Sequence, residues 1–222
     1  MKRRAALATS QQRPAKRQKS QLAVTQEIVK KELRKNTDWK YTDFALNGMA
    51  IYNTGQISSM LSNLTRGDNG FQNFQGNIIR PSGLLVKYKL DTTQVFEHCR
   101  VMLIQWFDAN TPVLAGLLQT TTTGLGTISP TLVTNKAYIK VLYDKTHSLA
   151  PTASDGAGNV VGAGVPEPVT VYIPGKRLKP IRYASTSNTV QDGDLILLAV
   201  SDDTALSTVN LTFYSRVTFS DQ

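Results

Sequence analysis

The sequence is poor in cysteine and in long apolar runs. Its single cysteine, Cys99, excludes an intrachain disulfide, which fits synthesis in a reducing compartment. The longest apolar stretches, 101–104 and 195–200, have the length of strands and fall far below the ~20 residues of a membrane-spanning helix. No apolar segment follows the basic start Met1-Lys2-Arg3-Arg4, so we expect neither a secretory signal nor a membrane partner.

The sequence also lacks the residue groups that catalysis requires. His98 and His147 are far apart in the chain, and no Ser–His–Asp arrangement, phosphate-binding loop or zinc spacing is present. We therefore expect no enzyme, no catalytic or metal site and no cofactor. Four acidic residues flank one predicted strand, where turns are the simpler interpretation and a Ca²⁺ site between subunits is the alternative. They are Asp192, Asp194, Asp202 and Asp203.

Acidic residues are absent from the first 20 positions, and the net charge of +9 is unevenly divided. Eleven of the 25 Lys and Arg residues but two of the 16 acidic residues precede position 36. This segment therefore carries +9, and the remainder carries fourteen charges of each sign. A neutral body with a cationic arm predicts a polyanionic partner, and we favour single-stranded nucleic acid over a merely solubilising tail. The predicted nucleic-acid-binding residues are Lys2, Arg3, Arg4, Arg13, Lys16, Arg17, Lys19, Lys30, Lys31, Arg34 and Lys35.

The arm, residues 1–36, is predicted to be disordered at its start and helical further on. Residues 1–20 have no aromatic side chain and cannot bury enough apolar surface to fold alone. In 22–35, Leu22, Ile28, Val29 and Leu33 recur at helical spacing, which predicts a short amphipathic helix. The arm also contains a bipartite nuclear-import pattern with eleven residues between its halves, which predicts a host import receptor as a partner. Its residues are Arg3, Arg4, Lys16, Arg17 and Lys19.

From residue 37 onward, apolar and polar residues alternate with a period of two, as in half-buried strands. Eight strands are predicted, at 41–52, 84–90, 95–107, 136–144, 168–174, 179–185, 193–201 and 209–219. No helical pattern of about ten residues separates them, so residues 37–222 are predicted to form an all-β domain, an eight-stranded antiparallel jelly-roll sandwich. The connections 108–135 and 145–167 are predicted to be long loops with functional or intersubunit roles.

The strand 95–107 is apolar on both faces. Cys99, Val101 and Leu103 share one face, and Cys99 is predicted to be a small core residue there. Met102 and Trp106 lie on the other face. Because only one face of a sandwich strand meets the core, either a neighbouring subunit or a long loop has to cover the second.

Four stretches of the body carry a family resemblance. They are Phe44-Ala45-Leu46-Asn47; Gly67-Asp68 with Gly76-Asn77-Ile78-Ile79; 100–107 with Asp108 and Thr111-Pro112-Val113; and 136–149 with Ile173-Pro174-Gly175. In these stretches residues 37–222 resemble the coat proteins of satellite tobacco necrosis virus and of circular single-stranded-DNA (CRESS) viruses. The resemblance implies a jelly roll that closes into an icosahedral (T = 1) shell, commonly of sixty copies, with the arm pointing inward.

These observations predict a viral capsid protein that self-assembles and packages a single-stranded genome. DNA is favoured over RNA because a circular DNA copied in the host nucleus needs an imported coat protein, so the predicted locations are the virion and, during assembly, the nucleus. Two alternatives stay open: a secreted or surface jelly-roll recognition module of lectin or ligand type, and a small-oligomer nucleic-acid-binding regulator. Arg66-Gly67-Asp68 matches an integrin-binding tripeptide, but a turn is favoured.

Overall fold

A computed structural model describes residues 24–26, 28–29, 32, 39–67, 70–92, 97–119, 127–131, 137–149, 151–154, 160–164, 168–202 and 209–221. The chain divides into two units, Met1–Thr37 and Asp38–Gln222. The described residues of the first unit are helical, and those of the second form mainly strands. No helix in this described portion is long and apolar enough to cross a membrane.

The second unit contains strands of very different lengths. In chain order they are β1 (Lys40–Ile51), β2 (Gln56–Ser59), β3 (Thr65–Arg66), β4 (Asn73–Phe74), β5 (Ile78–Thr92), β6 (Glu97–Trp106), β7 (Ile139–Leu149), β8 (Pro151–Ser154), β9 (Val160–Gly164), β10 (Val169–Pro174), β11 (Ile181–Tyr183), β12 (Val190–Asp192), β13 (Asp194–Ser201) and β14 (Val209–Asp221). A one-turn helix, α1 (Leu114–Leu117), lies between β6 and β7, and a 3₁₀ turn, Gly175–Arg177, follows β10.

Two antiparallel sheets form the sandwich. In the larger sheet β1 pairs with β14 and β14 with β5; β10 pairs with the middle of β5, β11 with its first residues and β9 with its last. The smaller sheet has the order β2-β13-β6-β7. The first strand thus pairs with the last, and the second with the one before it, as in two interleaved Greek keys. This strand order confirms the predicted all-β antiparallel jelly roll.

Strict alternation explains why the long strands of the larger sheet cover the core. Leu84, Val86, Tyr88 and Leu90 of β5 are buried, and the residues between them face outward. The inward residues of β14 behave in the same way, and together with the inward residues of β6 and β13 they form one hydrophobic core. Cys99 is fully buried in that core, which confirms its predicted role.

The sequence predicted part of seven of the eight jelly-roll strands, although β5 begins six residues before its predicted start and β7 ends five residues after its predicted end. The missing strand is β2, a short polar segment whose four residues are all half-buried. The predicted strand 179–185 shrinks to β11, which touches β5 through only two residues. The prediction of a loop over 145–167 was wrong: β7 continues to Leu149, and β8 and β9 pair as a hairpin. The sequence pattern did not reveal this hairpin because its glycine, alanine and proline residues do not alternate between apolar and polar.

The second apolar face of β6 is covered by the connection that follows it. Met102, Ile104 and Trp106 form a second hydrophobic cluster with Ile196, Leu198 and Val200 of β13, and with Leu117 and Leu118 of the α1 segment. Arg100 holds a later part of the same connection by donating to the carbonyl oxygen of Ser129. A loop of the same chain therefore covers this face.

Candidate nucleic-acid interface

The predicted nucleic-acid-binding residues all lie in the arm. All eleven, including the five of the import pattern, fall outside the described residues, so these assignments stay predictions. In the predicted amphipathic helix, Val24–Gln26, Ile28, Val29 and Glu32 are helical. The side chains of Val24, Ile28 and Val29 have exposed fractions of 42%, 57% and 50%. The three described apolar side chains of this segment are thus about half exposed.

The body offers a second surface, the outer sheet face, which we define as the outward residues of β1, β14, β5 and β10. The strand register sets these residues in rows across the sheet. One row runs from Thr170 through Lys87 and Tyr214 to Ala45. The next runs from Tyr172 through Leu85 and Arg216 to Asp43. Aromatic and charged side chains therefore occupy neighbouring positions on this face.

Asp43 organises the β1 side of the outer sheet face. Its two carboxylate oxygens accept hydrogen bonds from Nε and Nη2 of Arg216, each at 2.7 Å, and the Tyr214 hydroxyl also bonds to it. The hydrogen bonds from Arg216 hold the pKa of Asp43 below its usual value, so the carboxylate stays charged. The Arg216 guanidinium lies 4.5 Å from the centre of the Tyr41 ring.

Two aromatic groups mark the margins of the outer sheet face. At the β1 margin, Phe71 stacks on Tyr41 with ring centres 5.4 Å apart, and Phe71 is 64% exposed. At the β10 margin, Tyr172 is 63% exposed. A Cβ atom added to Gly83 would come within 3.0 Å of the Tyr172 hydroxyl oxygen and 3.2 Å of a ring carbon. The glycine thus lets the tyrosine ring lie close to the sheet backbone.

Lysine side chains complete this face. Lys89 pairs with Asp91 at 2.6 Å, whereas no carboxylate among the described residues forms an ion pair with Lys87. Both lysines are exposed and stand two residues apart on β5, which separates them by about 7 Å along the strand. The face therefore combines flat aromatic surfaces with exposed positive charge.

The other residues that the sequence singled out have local partners. The Nδ1 of His98 lies 2.9 Å from an Asp202 carboxylate oxygen, and the second oxygen accepts from the His98 backbone N–H. Asp192 lies 4.0 Å from Arg182, and Asp203 falls outside the described residues. Within the described ranges, no group of three or more His, Cys, Asp or Glu side chains is placed to hold a metal ion.

Asp194 is a half-buried carboxyl group of the smaller sheet. It stands opposite Trp106 at the start of β13 and accepts a hydrogen bond from the Ser59 hydroxyl at 2.8 Å. Burial raises its pKa to about 6. A cavity of about 270 Å³ adjoins Asp194 and Trp106 and is also lined by Asp108 and Asn110.

Arg66 of the Arg-Gly-Asp tripeptide and His147 both make contacts within the body. The Arg66 side chain lies over the Phe74 ring, 5.1 Å from its centre, and donates to Asn77 and to the Ala184 carbonyl, while Asp68 lies outside the described residues. His147 contributes Nε2 to a 2.7 Å hydrogen bond with the Tyr88 hydroxyl between the two sheets. Burial lowers the pKa of His147, which favours the neutral ring.

Comparisons with known proteins identify no family. No family model and no curated protein matches the chain. Among solved structures, a chain of Desmodium yellow mottle tymovirus matches with 13% sequence identity and a TM-score of 0.38, over 100% of this chain and 93% of that chain. The assignment as a jelly roll rests on the observed strand order and draws nothing from this match.

Proposed function

We propose that this protein is a viral coat protein that assembles into a small closed shell and packages a single-stranded genome through its basic arm. The observation that carries the proposal is the separation of charge from fold. The first 35 residues hold the whole net charge of +9, and the neutral remainder contains the jelly roll. A neutral body can pack against its own copies without repulsion while a cationic arm neutralises phosphates.

A shell of sixty copies would bring a net charge of about +540 from its arms into the interior, enough for several hundred phosphates. Binding through Lys and Arg should fall steeply with salt and depend little on base sequence. Circular single-stranded DNA is the favoured genome because the import pattern of the arm would bring the protein to the nucleus, where such DNA is copied. A surface-recognition module would leave the arm without a role, and a small-oligomer regulator would not form shells.

Electron microscopy of the purified full-length protein tests assembly. Uniform shells roughly 20 nm across support the proposal, since a domain of this size closes at about that diameter with sixty copies. Discrete dimers or trimers that never close would overturn it. Deleting residues 1–20 should leave shells that contain little nucleic acid, and full packaging without the arm would assign binding to another part of the chain.

Nuclease treatment of nucleic acid from authentic particles tests the genome type. DNase-sensitive, RNase-resistant material is expected, and the reverse would correct the genome type while leaving the coat-protein proposal in place. For the import step, residues 1–20 are fused to a fluorescent reporter too large for passive entry into the nucleus. Nuclear fluorescence is expected, together with its loss when Lys16, Arg17 and Lys19 are replaced by Ala.

A further inference from the structure

The arrangement of rings on the outer sheet face suggests a path across the sheet. Tyr41, Thr218 and Gly83 occupy one row, so two strand spacings, about 10 Å, separate the backbone at Tyr41 from the glycine beneath Tyr172. Arg216 lies against Tyr41 on this path. Three rings and a guanidinium plane therefore line a strip that an extended chain can cross.

We propose that the outer sheet face is a stacking platform for single-stranded nucleic acid. Bases stack on Tyr172 and Phe71, and phosphates contact Lys87 and Lys89. The inference rests on the proposed function, because it names where the packaged strand meets the body of the coat protein. It adds a contact that the arm cannot make, since the first 35 residues contain no aromatic side chain.

The chemistry of the face favours unpaired nucleic acid over another occupant. Stacking requires bases whose flat surfaces are free, which a single strand offers and a duplex does not. Four cations on this face, Arg80, Lys87, Lys89 and Arg216, outnumber its two carboxylates, Asp43 and Asp91. Although the body as a whole is neutral, a second copy binding through this same face would bring two surfaces of net positive charge together. A single-stranded nucleic acid suits this face because its phosphates are negatively charged and its bases can stack on the exposed aromatic rings.

The experiment compares two ligands that differ only in their bases. The full-length protein is titrated with a fluorescent 20-nucleotide oligothymidylate and with an abasic oligomer of the same length, because the arm binds both through phosphates whereas the platform needs bases. We expect the wild-type protein to bind oligothymidylate at least about tenfold more tightly. Tyr172→Leu and Phe71→Leu should each lower this ratio about fivefold or more. Tyr138→Leu, a matched change at an exposed tyrosine away from this face, should leave it unchanged.

The outcomes separate this inference from the proposed function. Equal affinity of the wild-type protein for the two oligomers overturns the platform but leaves binding by the arm intact. The platform is also overturned if both Leu variants keep the wild-type ratio of affinities for oligothymidylate and the abasic oligomer. If the variants keep that ratio but lose self-association, the face is a contact between subunits instead. Failure to bind either oligomer overturns the proposed function itself. Tyr172→Phe keeps the ring and should restore the ratio if Tyr172→Leu folds poorly, and thermal melting of each variant checks folding.

Discussion

The two sheets share one core, but their outer faces differ in what covers them. On the smaller sheet, Met102, Trp106 and Ile196 are buried beneath the α1 segment. On the larger sheet, outward positions carry Lys87, Tyr172 and other polar or aromatic residues that no described segment buries. The comparison shows why alternation is visible in β5 and β14 but absent from β6 and β13: a strand covered on both sides needs apolar residues on both.

Each sheet also contains an arginine–aspartate pair with two hydrogen bonds, and the surroundings of the pairs differ in the same way. Arg100 pairs with Asp144 at 2.6 and 2.7 Å, and its side chain is only 9% exposed. Arg216 pairs with Asp43 at 2.7 Å with a side chain that is 43% exposed. The same chemistry thus fixes a loop in one place and orders a solvent-facing surface in the other.

Removing the indole of Trp106 should have the largest effect on the covered face. Trp106 is 6% exposed and donates through Nε1 to the carbonyl oxygen of Asn110 at 2.7 Å. Trp106→Ala should therefore lower the free energy of unfolding by about 3–5 kcal/mol and prevent soluble assembly. Val113→Ala, at an exposed site beside α1, should change it by less than about 0.5 kcal/mol. Equal denaturant midpoints for the two variants would show that the α1 segment does not bury the indole.

The two arginine–aspartate pairs supply the next test. Asp144→Ala leaves the buried Arg100 guanidinium without its carboxylate and should cost about 2 kcal/mol in chemical denaturation, less than for a fully buried pair because Asp144 is one-third exposed. Asp43→Ala should cost clearly less, because water can solvate the exposed Arg216. A loss for Asp43→Ala as large as that for Asp144→Ala would contradict the contrast between the two faces.

Asp194 should make the smaller sheet sensitive to pH. Its pKa is raised to about 6 in the folded protein, so the folded state holds the proton more tightly than the unfolded state. Stability from this group is therefore fully present below about pH 4, the range of the unfolded pKa, and is lost as pH rises through about 6. Asp194→Asn still accepts from Ser59 and should raise the free energy of unfolding at pH 7 by about 2 kcal/mol relative to wild type.

The advantage of Asp194→Asn should shrink towards pH 4, where the wild-type carboxyl is protonated. The measurement is the difference in unfolding free energy between variant and wild type across this pH range. Asp192→Asn, two residues away, is the control, and its unfolding free energy is compared with that of wild type over the same pH range. A constant difference would mean that Asp194 does not titrate in this window.

Sequence patterns predicted the strands that alternate and missed features that depend on distant parts of the chain. β14 was located within two residues because every second side chain meets the core. The cover over β6 could not be chosen from sequence, since a four-residue helix has no periodicity to detect. The platform residues Phe71 and Tyr172 are 101 positions apart, and only strand register and a loop contact bring them to one face. The outward lysines of β5 were the one signal available.

Of the substitutions considered, Lys87→Ala should change stability least. It also sharpens the comparison between the two outer faces, because the same substitution should weaken the binding of nucleic acid. Lys87→Ala should leave the free energy of unfolding within about 0.5 kcal/mol of wild type, since the side chain is exposed and has no ionic partner among the described residues. If Lys87 contacts a phosphate, its loss should reduce the slope of log affinity against log salt for oligothymidylate by about one. Lys145→Ala, at an exposed lysine of β7, should leave the slope unchanged. If wild type, Lys87→Ala and Lys145→Ala have equal slopes, Lys87 does not contact a phosphate. If Lys87→Ala and Lys145→Ala lower the slope equally, the outer sheet face contributes no more to phosphate binding than the rest of the surface does.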